Sequence, residues 1–427
     1  MSHSHQVGLF WFRSDLRLED NEALTAAIAQ CEKVVPVFCF SPRLWEKHPL
    51  GFSRTGAHRI QFLKESLDDL QTALQELGND LWIVVGEPAE KLPEIAEKMG
   101  ATVVFGHREA ATEEIREEEA VANKIDLELY WGSTLYHLED LPMPVASLPA
   151  VFGGFRRKVE KKSSIREVFA RPTAIPGVDQ PANQEAYLHL FPEFVAKDKR
   201  TAFPFKGGSN AALARLKEYL WEGDHLGRYK LTRNGLVGTN YSSKFSPWLA
   251  NGSLSPRTIY QEVKRYEEAR VKNDSTYWLV FELIWRDFFH FVSLQHGRNL
   301  FLYQGLQRVD PRLGKQQATF WKWAEGRTKD GFVNANQLEL SSTGWMSNRG
   351  RQNAASYLVH DMGIDWRWGA AWFESQLLDY DPCSNYGNWQ YVTGIGNDTR
   401  TKKFDTQWQA ERYDPKGRFQ QLWTGMF

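Results

Sequence analysis

Four stretches of this chain hold residue types that could do chemistry. The stretch 229–257 reads YKLTRNGLVGTNYSSKFSPWLANGSLSPR, where the hydroxyls of Thr239, Ser242, Ser243 and Ser246 surround Lys244 just ahead of a helical pattern. Hydroxyls, a cation and free backbone N–H groups at a helix start suit a phosphate or pyrophosphate. They equally suit an N-cap and an ordinary polar loop. In YWLVFELIWRDFFH (277–290), Glu282, Trp285 and Arg286 stand at i, i+3 and i+4 and share a helix face. Charges inside so apolar a helix need partners, so these residues either line a polar cavity or form a structural ion pair. In TGWMSNRGRQ (343–352), Asn348, Arg351 and Gln352 share a face, with Arg349 adjacent. Arginines bracketed by amides suit phosphate or base-edge hydrogen bonds, and an exposed basic turn has the same look. Finally, Asp379, Asp381 and Asn385 crowd a turn-rich stretch that ends at Trp389 and Tyr391. Paired carboxylates serve acid–base chemistry, and they also serve turns and caps. Trp366, Trp368, Trp372 and Trp389 read as core aromatics.

The elements that must position these residues fall into two kinds. Apolar runs at 7–12, 33–40, 80–86, 101–106 and 126–132 alternate with helical patterns, such as the one from Ala57 to Leu77. Near-continuous apolar strands alternating with helices predict a parallel sheet covered on both faces, an α/β domain over 1–131. Neither GxGxxG nor GxxxxGK[ST] follows any strand, so the common dinucleotide and P-loop fingerprints are missing. The acidic run Glu113, Glu114, Glu117, Glu118 and Glu119 reads as a solvated helix face. Prolines 142, 144, 149, 172, 176, 181 and 192 punctuate 132–195, which reads as an interdomain linker draped over the surface, with one basic helical piece at 155–162. From 196 to 427 the pattern is helical nearly throughout.

Composition narrows the class. With 427 residues, 42% hydrophobic and 25% charged, the chain is long enough for two or three domains of ordinary globular make-up. No apolar run approaches the roughly 18 residues of a membrane span, and no secretory core opens the chain. Three cysteines (Cys31, Cys39, Cys383) without a CxxC pair exclude a disulfide scaffold and a cysteine-based zinc site. A soluble, cytoplasmic protein without a metal is the expectation. The net charge of −1 hides an asymmetry: residues 1–150 carry 13 Lys and Arg against 25 Asp and Glu, and the remainder carries 39 against 28. Only Trp11, Trp45, Trp82 and Trp131 of the 17 tryptophans precede residue 150. A basic, tryptophan-rich second part fits an anionic partner such as nucleic acid.

Several of these strings resemble the photolyase/cryptochrome family, and within it the DASH branch. WFRSDLRLEDNEAL (11–24) is similar to the family's N-terminal signature, and 239–257, 281–289, 343–353 and 363–391 are similar to its cofactor-binding blocks. The resemblance implies an antenna-binding α/β domain followed by an all-α domain that binds FAD noncovalently. It places Tyr229, Ser242, Ser243, Lys244, Phe245 and Ser246 at the pyrophosphate end. Glu282 and Arg286 fall in the wall between flavin and substrate, and Asn348 also falls among the cofactor-binding positions. Arg351 is paired with Asp379, Asp381 faces the flavin or its adenosine, and Asn385 stands opposite flavin N5. A neutral amide there is no acid, which favours cycling through the anionic reduced flavin. Trp389, Trp366 and Trp323 resemble the family's electron-transfer triad from flavin to surface. Trp321 points another way on its helix.

For substrate, the resemblance implies a cyclobutane pyrimidine dimer flipped out of DNA and split by an electron from light-excited reduced flavin, with a single-strand preference in the DASH branch. Glu282 and Trp285 would contact the dimer, and Arg349 and the basic surface would meet phosphates. Tyr391 and Gln352 stand where duplex-active relatives often carry Trp and Met. Glu109, in GHRE (106–109), matches a position that contacts a folate antenna, commonly methenyltetrahydrofolate. The rival readings are a DNA-binding blue-light sensor and a light-independent electron-transfer flavoprotein. The chain ends at Phe427, soon after Tyr391, which weakens signalling through a long C-terminal extension. A monomer is expected.

Overall fold

Strands β1 (His5–Phe12), β2 (Cys31–Phe40), β3 (Trp82–Val85), β4 (Val103–His107) and β5 (Asp126–Tyr130) form one parallel sheet in the order β3-β2-β1-β4-β5. These elements come from a computed structural model that describes residues 3–179, 182, 187–190, 195–398, 400 and 403–425. In register, Leu9 lies between Val35 and Val104. The inner stretches of β1 to β4 are apolar because both faces are covered, whereas the edge strand β5 alternates polar and apolar residues and is partly exposed. Phe10, Phe12, Phe38, Phe40 and Phe105 pack under α1 (Glu22–Gln30) and α2 (Ala57–Glu76). Leu9, Trp11, Val35, Val84 and Val104 pack under α3 (Pro88–Met99) and α4 (Thr112–Ala122). Strand–helix alternation in the sequence thus gives the α/β fold expected of it.

The next helix, α5 (Phe152–Lys162), lies inside the stretch read as a surface linker, and that reading needs correction. Phe152, Phe155 and Val159 are buried in the helical core, and the Phe152 ring stacks on Trp285 at 3.7 Å and 11°. Ile175 is likewise buried against the sheet. Pro181 and Pro192 lie outside the described residues.

The rest is helical, as expected. The chain runs through α6 (Ser209–Lys217), α7 (Tyr229–Thr232), α8 (Ser246–Ala250), α9 (Pro256–Ala269), α10 (Asp274–His296) and α11 (Gln317–Ala324). It continues through α12 (Gly331–Thr343), α13 (Asn348–Ser356), α14 (Trp366–Gln376), α15 (Pro382–Thr393), α16 (Thr406–Tyr413) and α17 (Arg418–Thr424). Local chemistry fixes where the site-bearing helices start. Asn273 and Thr276 form a reciprocal capping box on α10, Ser347 accepts from Gly350 N at 3.0 Å on α13, and Asp381 caps α15. Helices α14 and α15 pack closely because Gly369 has no side chain: a Cβ there would lie 2.2 Å from Trp389 Cη2. No helix among the described residues is long and apolar enough to cross a membrane.

The charged residues of the N-terminal signature tie the two parts together. Buried Arg17 donates to the carbonyls of Gly132 (3.0 Å) and Gly252 (2.9 Å), and Asp20 pairs with Arg257 at 2.8 Å. Asp287, in the middle of α10, accepts from the backbone of Leu135 (2.9 Å) and Tyr136 (2.8 Å). Burial nonetheless pushes its carboxyl up to about 7.

Candidate functional site

Two cavities meet at a shared wall of Ala250, Arg286 and Asp381. The larger, of about 470 Å³, lies within the helical part and is lined by residues from all four stretches singled out in the sequence. They include Tyr229, Ser242, Ser243, Lys244, Phe245, Ser246, Glu282, Trp285, Arg286, Asn348, Arg351, Gln352, Asp379, Asp381 and Tyr391. A side recess of about 100 Å³ extends towards Asn385 and Trp389 and shares Arg351, Asp379 and Tyr391 with the main cavity.

Arg215 organises the hydroxyl-rich loop. Its buried guanidinium gathers the carbonyls of Thr239 (3.3 Å), Ser242 (3.1 Å) and Ser243 (3.1 Å). Lys244 follows with φ of 65°, a left-handed conformation that costs a lysine energy and marks a constrained turn. Its ammonium is buried, lies 3.2 Å from the Tyr241 ring centre and 4.5 Å from that of Trp345, and has no hydrogen-bond partner. Burial drives its pKa well down although Glu339 pulls it up. The Glu339 carboxyl is itself raised to about 8 by burial, against the opposing pull of Lys244 and Arg351. Helix α8 has only five residues, so it offers little of the helix-start character read from the sequence.

On α10, Glu282 and Arg286 share a face but do not pair. Glu282 accepts from Arg233 at 2.5 Å. Arg286 donates to the Ser133 carbonyl and, at 3.1 Å, to the Leu249 carbonyl. Arg351 donates to Asp379 Oδ2 at 2.9 Å, while Asp379 Oδ1 is buried and unpartnered, as is Gln352 Oε1. Asn385 donates through Nδ2 to the Ala370 carbonyl at 3.0 Å, so its other amide atom, an acceptor oxygen, faces away from α14. Trp285 and Tyr391 flank the cavity with ring centres 6.4 Å apart at 72°.

The orphaned atoms describe what the cavity is built to hold. A buried ammonium without an anion, and buried carboxylate and amide oxygens without donors, are each costly when left unpaired. A ligand with an anionic centre and N–H or O–H groups elsewhere, such as a dinucleotide, fits that donor set.

Asp381 sits where the cavities meet. Its oxygens accept from Cys383 N (3.1 Å), Ser384 N (3.3 Å) and the Ser384 hydroxyl, and lie 3.2 Å from His290 Nε2. Burial raises the carboxyl, but His290 and Arg286 outweigh it and hold it well below the usual range. His290, Asp381 and Cys383 bring possible ligand atoms within 4.8 Å of one another. The Asp381 oxygens are already engaged in capping α15, so the trio is read as structural.

The second cavity, of about 250 Å³, opens beyond the carboxyl ends of β1 and β2, against α10 and α15. Glu109 lines it, together with Trp11, Arg13, Arg54, Glu113, Glu114 and Glu374. The acidic run is therefore solvated only in part: Glu113 and Glu119 are exposed, whereas Glu114, Glu117 and Glu118 turn inward. Glu117 and Glu118 pair with Arg13, Glu113 pairs with Arg54, and burial pushes the Glu114 carboxyl up to about 7. Nothing local to the run in sequence signals those partners.

Two further expectations are corrected. Arg349 is not presented to solvent as a phosphate contact. Its half-buried guanidinium lies over the Tyr413 ring at 4.6 Å and bonds Gln409 (3.4 Å) and Asn234 (3.3 Å), docking α16 onto α13. Trp323 is not the surface end of a triad. It is 0% exposed, its ring lies 6.1 Å from Trp389, and its N–H is tied to the Ala354 carbonyl at 2.9 Å. Trp366 is 0% exposed as well. Sequence reading missed Arg215, Arg233, Tyr241, Glu339 and Trp345. Arg233, Tyr241 and Trp345 stand inside the quoted motifs, whereas Arg215 and Glu339 carry no local signal.

Comparison with known proteins agrees with this arrangement. The family model described as DNA photolyase matches residues 8–177, and the one described as FAD binding domain of DNA photolyase matches 278–426. The chain is 47% identical to cryptochrome DASH of Synechocystis over 99% of its own length and 88% of the relative's. It is also 47% identical to the chloroplastic/mitochondrial cryptochrome DASH of Arabidopsis thaliana, over 98% of this chain and 75% of that one. The crystal structure of a Synechocystis cryptochrome superposes with a TM-score of 0.94 at 46% identity, covering 99% of this chain and 89% of that one. A bacterial class III photolyase from Agrobacterium tumefaciens, at 24% identity, shares the fold with a TM-score of 0.86, over 100% of this chain and 88% of that one.

Proposed function

Since the chain belongs to the cryptochrome DASH branch of the photolyase/cryptochrome family, we propose that it is a blue-light-dependent FAD flavoprotein that reverses cyclobutane pyrimidine dimers, preferentially in single-stranded DNA. Lys244 with the hydroxyls of Ser242, Ser243 and Ser246 would hold the FAD pyrophosphate. The orphaned Asp379 Oδ1 would accept from the ligand, and Arg351 would hold that carboxylate in place. Asn385 would present its amide oxygen to the isoalloxazine edge, where it offers no acidic proton. When bound, FAD supplies blue-light absorption and one-electron chemistry.

Trp285 and Tyr391 would line the recess that receives the flipped pyrimidine dimer. Trp285 is held in orientation from behind by Phe152. Glu282, kept in place by Arg233, would accept from the N–H groups of the pyrimidine rings. Flipping costs a few kcal/mol and least from a single strand. Tyr391 and Gln352 offer polar groups where apolar stacking surface would pay for extrusion from a duplex. The second cavity, with Glu109 and Glu114 as acceptors, suits a donor-rich heterocycle, and a folate such as methenyltetrahydrofolate is the proposed antenna.

The observation that carries this reading is the shared cavity: a recess flanked by Trp285 and Tyr391 opens onto the orphaned Lys244 and Asp379. The test is light-dependent dimer reversal by the reduced, FAD-loaded protein on single-stranded and duplex oligonucleotides in parallel. Reversal on single strands alone is expected. Equal reversal on both would remove the strand preference and keep the enzyme. Absence of reversal on either, with flavin bound and reducible, would overturn repair in favour of a DNA-binding light sensor.

A further inference from the structure

With Trp323 fully buried, the tryptophans beside the cofactor cavity lack an outer end. Trp389, Trp366 and Trp323 are all buried. The indole N–H groups of Trp366 and Trp323 bond to the carbonyls of Tyr303 (3.0 Å) and Ala354 (2.9 Å). A backbone carbonyl is a negligible base, so a tryptophan oxidised at either position keeps its proton and its positive charge. Such a charge returns readily to its source.

One ring beside this chain is placed differently. Tyr386 stands one turn before Trp389 on α15, and its ring centre lies 6.0 Å from that of Trp366 at 79°. Its hydroxyl donates to Glu374 Oε2 at 3.4 Å. The other Glu374 oxygen, Oε1, is held by Arg54 at 2.7 Å, and its backbone carbonyl by Arg59 at 2.8 Å, so the free oxygen is fixed towards the phenol. The Glu374 and Glu113 carboxylates and the Arg54 and Arg367 guanidiniums all act electrostatically on Tyr386. An oxidised phenol that keeps its proton is strongly acidic, and the Glu374 carboxylate within reach gives that proton somewhere to go.

Building on the flavoprotein reading above, we propose that Tyr386 is the terminal electron donor of this chain and that Glu374 accepts its proton. The oxidant is the photoexcited oxidised flavin. Trp389 gives up one electron and recovers it from Trp366. Trp366 recovers its own from Tyr386, whose O–H bond breaks as the electron leaves. The proton passes to Glu374 Oε2. One electron has then left the protein for the flavin, and a neutral tyrosyl radical and a neutral carboxylic acid remain. Because charge is no longer stored on an indole, reversal is slowed. Glu374 also lines the second cavity, so the proton is delivered at the boundary between the two parts of the molecule.

The test is flash spectroscopy and electron paramagnetic resonance on the FAD-loaded full chain, natively and as Y386F and E374Q. The native protein is expected to give a neutral tyrosyl radical whose appearance slows in deuterated solvent. Y386F should lose that signal and show only tryptophan radicals that decay faster. E374Q, which keeps the tyrosine and its packing, should give a smaller tyrosyl signal without the isotope effect. Flavin-to-protein ratio confirms that each variant is folded. A tyrosyl radical of native amplitude in Y386F would assign the donor elsewhere and overturn the proposal. So would native protein that photoreduces its flavin with tryptophan radicals alone, while leaving the flavoprotein reading intact. Bound flavin that yields neither kind of radical would overturn the relay altogether.

Discussion

The Arg351 guanidinium donates to Asp379 Oδ2 at 2.9 Å and to the Met346 carbonyl at 2.9 Å, while Asp379 Oδ1 stays buried and unpaired beside the cavity. The pair thus joins α13 to the loop before α15 and leaves one carboxylate oxygen for a ligand. Removing the cation alone strands the carboxylate, a loss of about 3–5 kcal/mol for a fully buried pair. Arg351 is partly exposed, so R351A should fall towards the lower end of that range and release most of its FAD on gel filtration. R351K should retain part of the flavin, because lysine keeps the charge without the fork geometry. Full flavin retention by R351A would place Asp379 outside the cofactor site.

Asp287 predicts a pH dependence of stability. Burial raises its carboxyl to about 7 from the ordinary 3.8, so the folded state binds more protons than the unfolded state between those values. Its contribution is complete below about pH 4 and is lost as the pH rises towards 7, by at most about 1.4 kcal/mol per unit. In D287N this slope is gone. The amide also points an N–H at one of two backbone donors, which costs about 1–3 kcal/mol at every pH. Denaturant midpoints should therefore show native and variant furthest apart near pH 4 and closer near pH 8. A gap that widens with pH would mean that Asp287 stays ionised in the fold.

What was legible in the sequence was what periodicity and local spacing encode. The strands announced themselves because a sheet covered on both faces needs unbroken apolar runs, as in β1. Glu282, Trp285 and Arg286 were placed on one face by the 3.6-residue repeat. Their partners were not, because Arg233 and the Ser133 carbonyl reach α10 from other parts of the chain. For the same reason the inward side of the run Glu113–Glu119 went unread: Arg13 and Arg54, which pair with Glu117, Glu118 and Glu113, come from other parts of the chain. Trp323 failed as a surface residue because exposure depends on what covers α11, and α13 and α14 do so. Phe152 was hidden within a proline-rich stretch whose composition resembles a linker, although its ring backs Trp285, which lines the cavity.

Tyr391 and Gln352 predict how strand preference can be changed. Both border the cavity opposite Trp285, and both exchange apolar surface for polar groups. Stacking contributes about 1–3 kcal/mol per base, enough to offset much of the cost of flipping from a duplex. Y391W combined with Q352M should raise affinity for dimer-containing duplex by about 5- to 150-fold, the equilibrium equivalent of that energy. Affinity for single strands should change less. Competition titrations on the two substrates measure the ratio directly. An unchanged ratio would mean that strand preference is set away from these two side chains.

Helix α5 predicts where phosphates are met. Phe152, at its start, stacks on Trp285, and the same helix carries the exposed Arg157, Lys158, Lys161 and Lys162. Each phosphate neutralised on a single strand contributes about −0.7 to the slope of log affinity against log salt. Replacing Arg157 and Lys158 with Glu should weaken binding to single-stranded DNA with or without a dimer, and should flatten that slope by about 1.4 if both contact phosphates. Reversal under saturating DNA should keep its native rate, because neither residue reaches the cavity. A variant with the native slope would move the phosphate track off α5 to another basic surface.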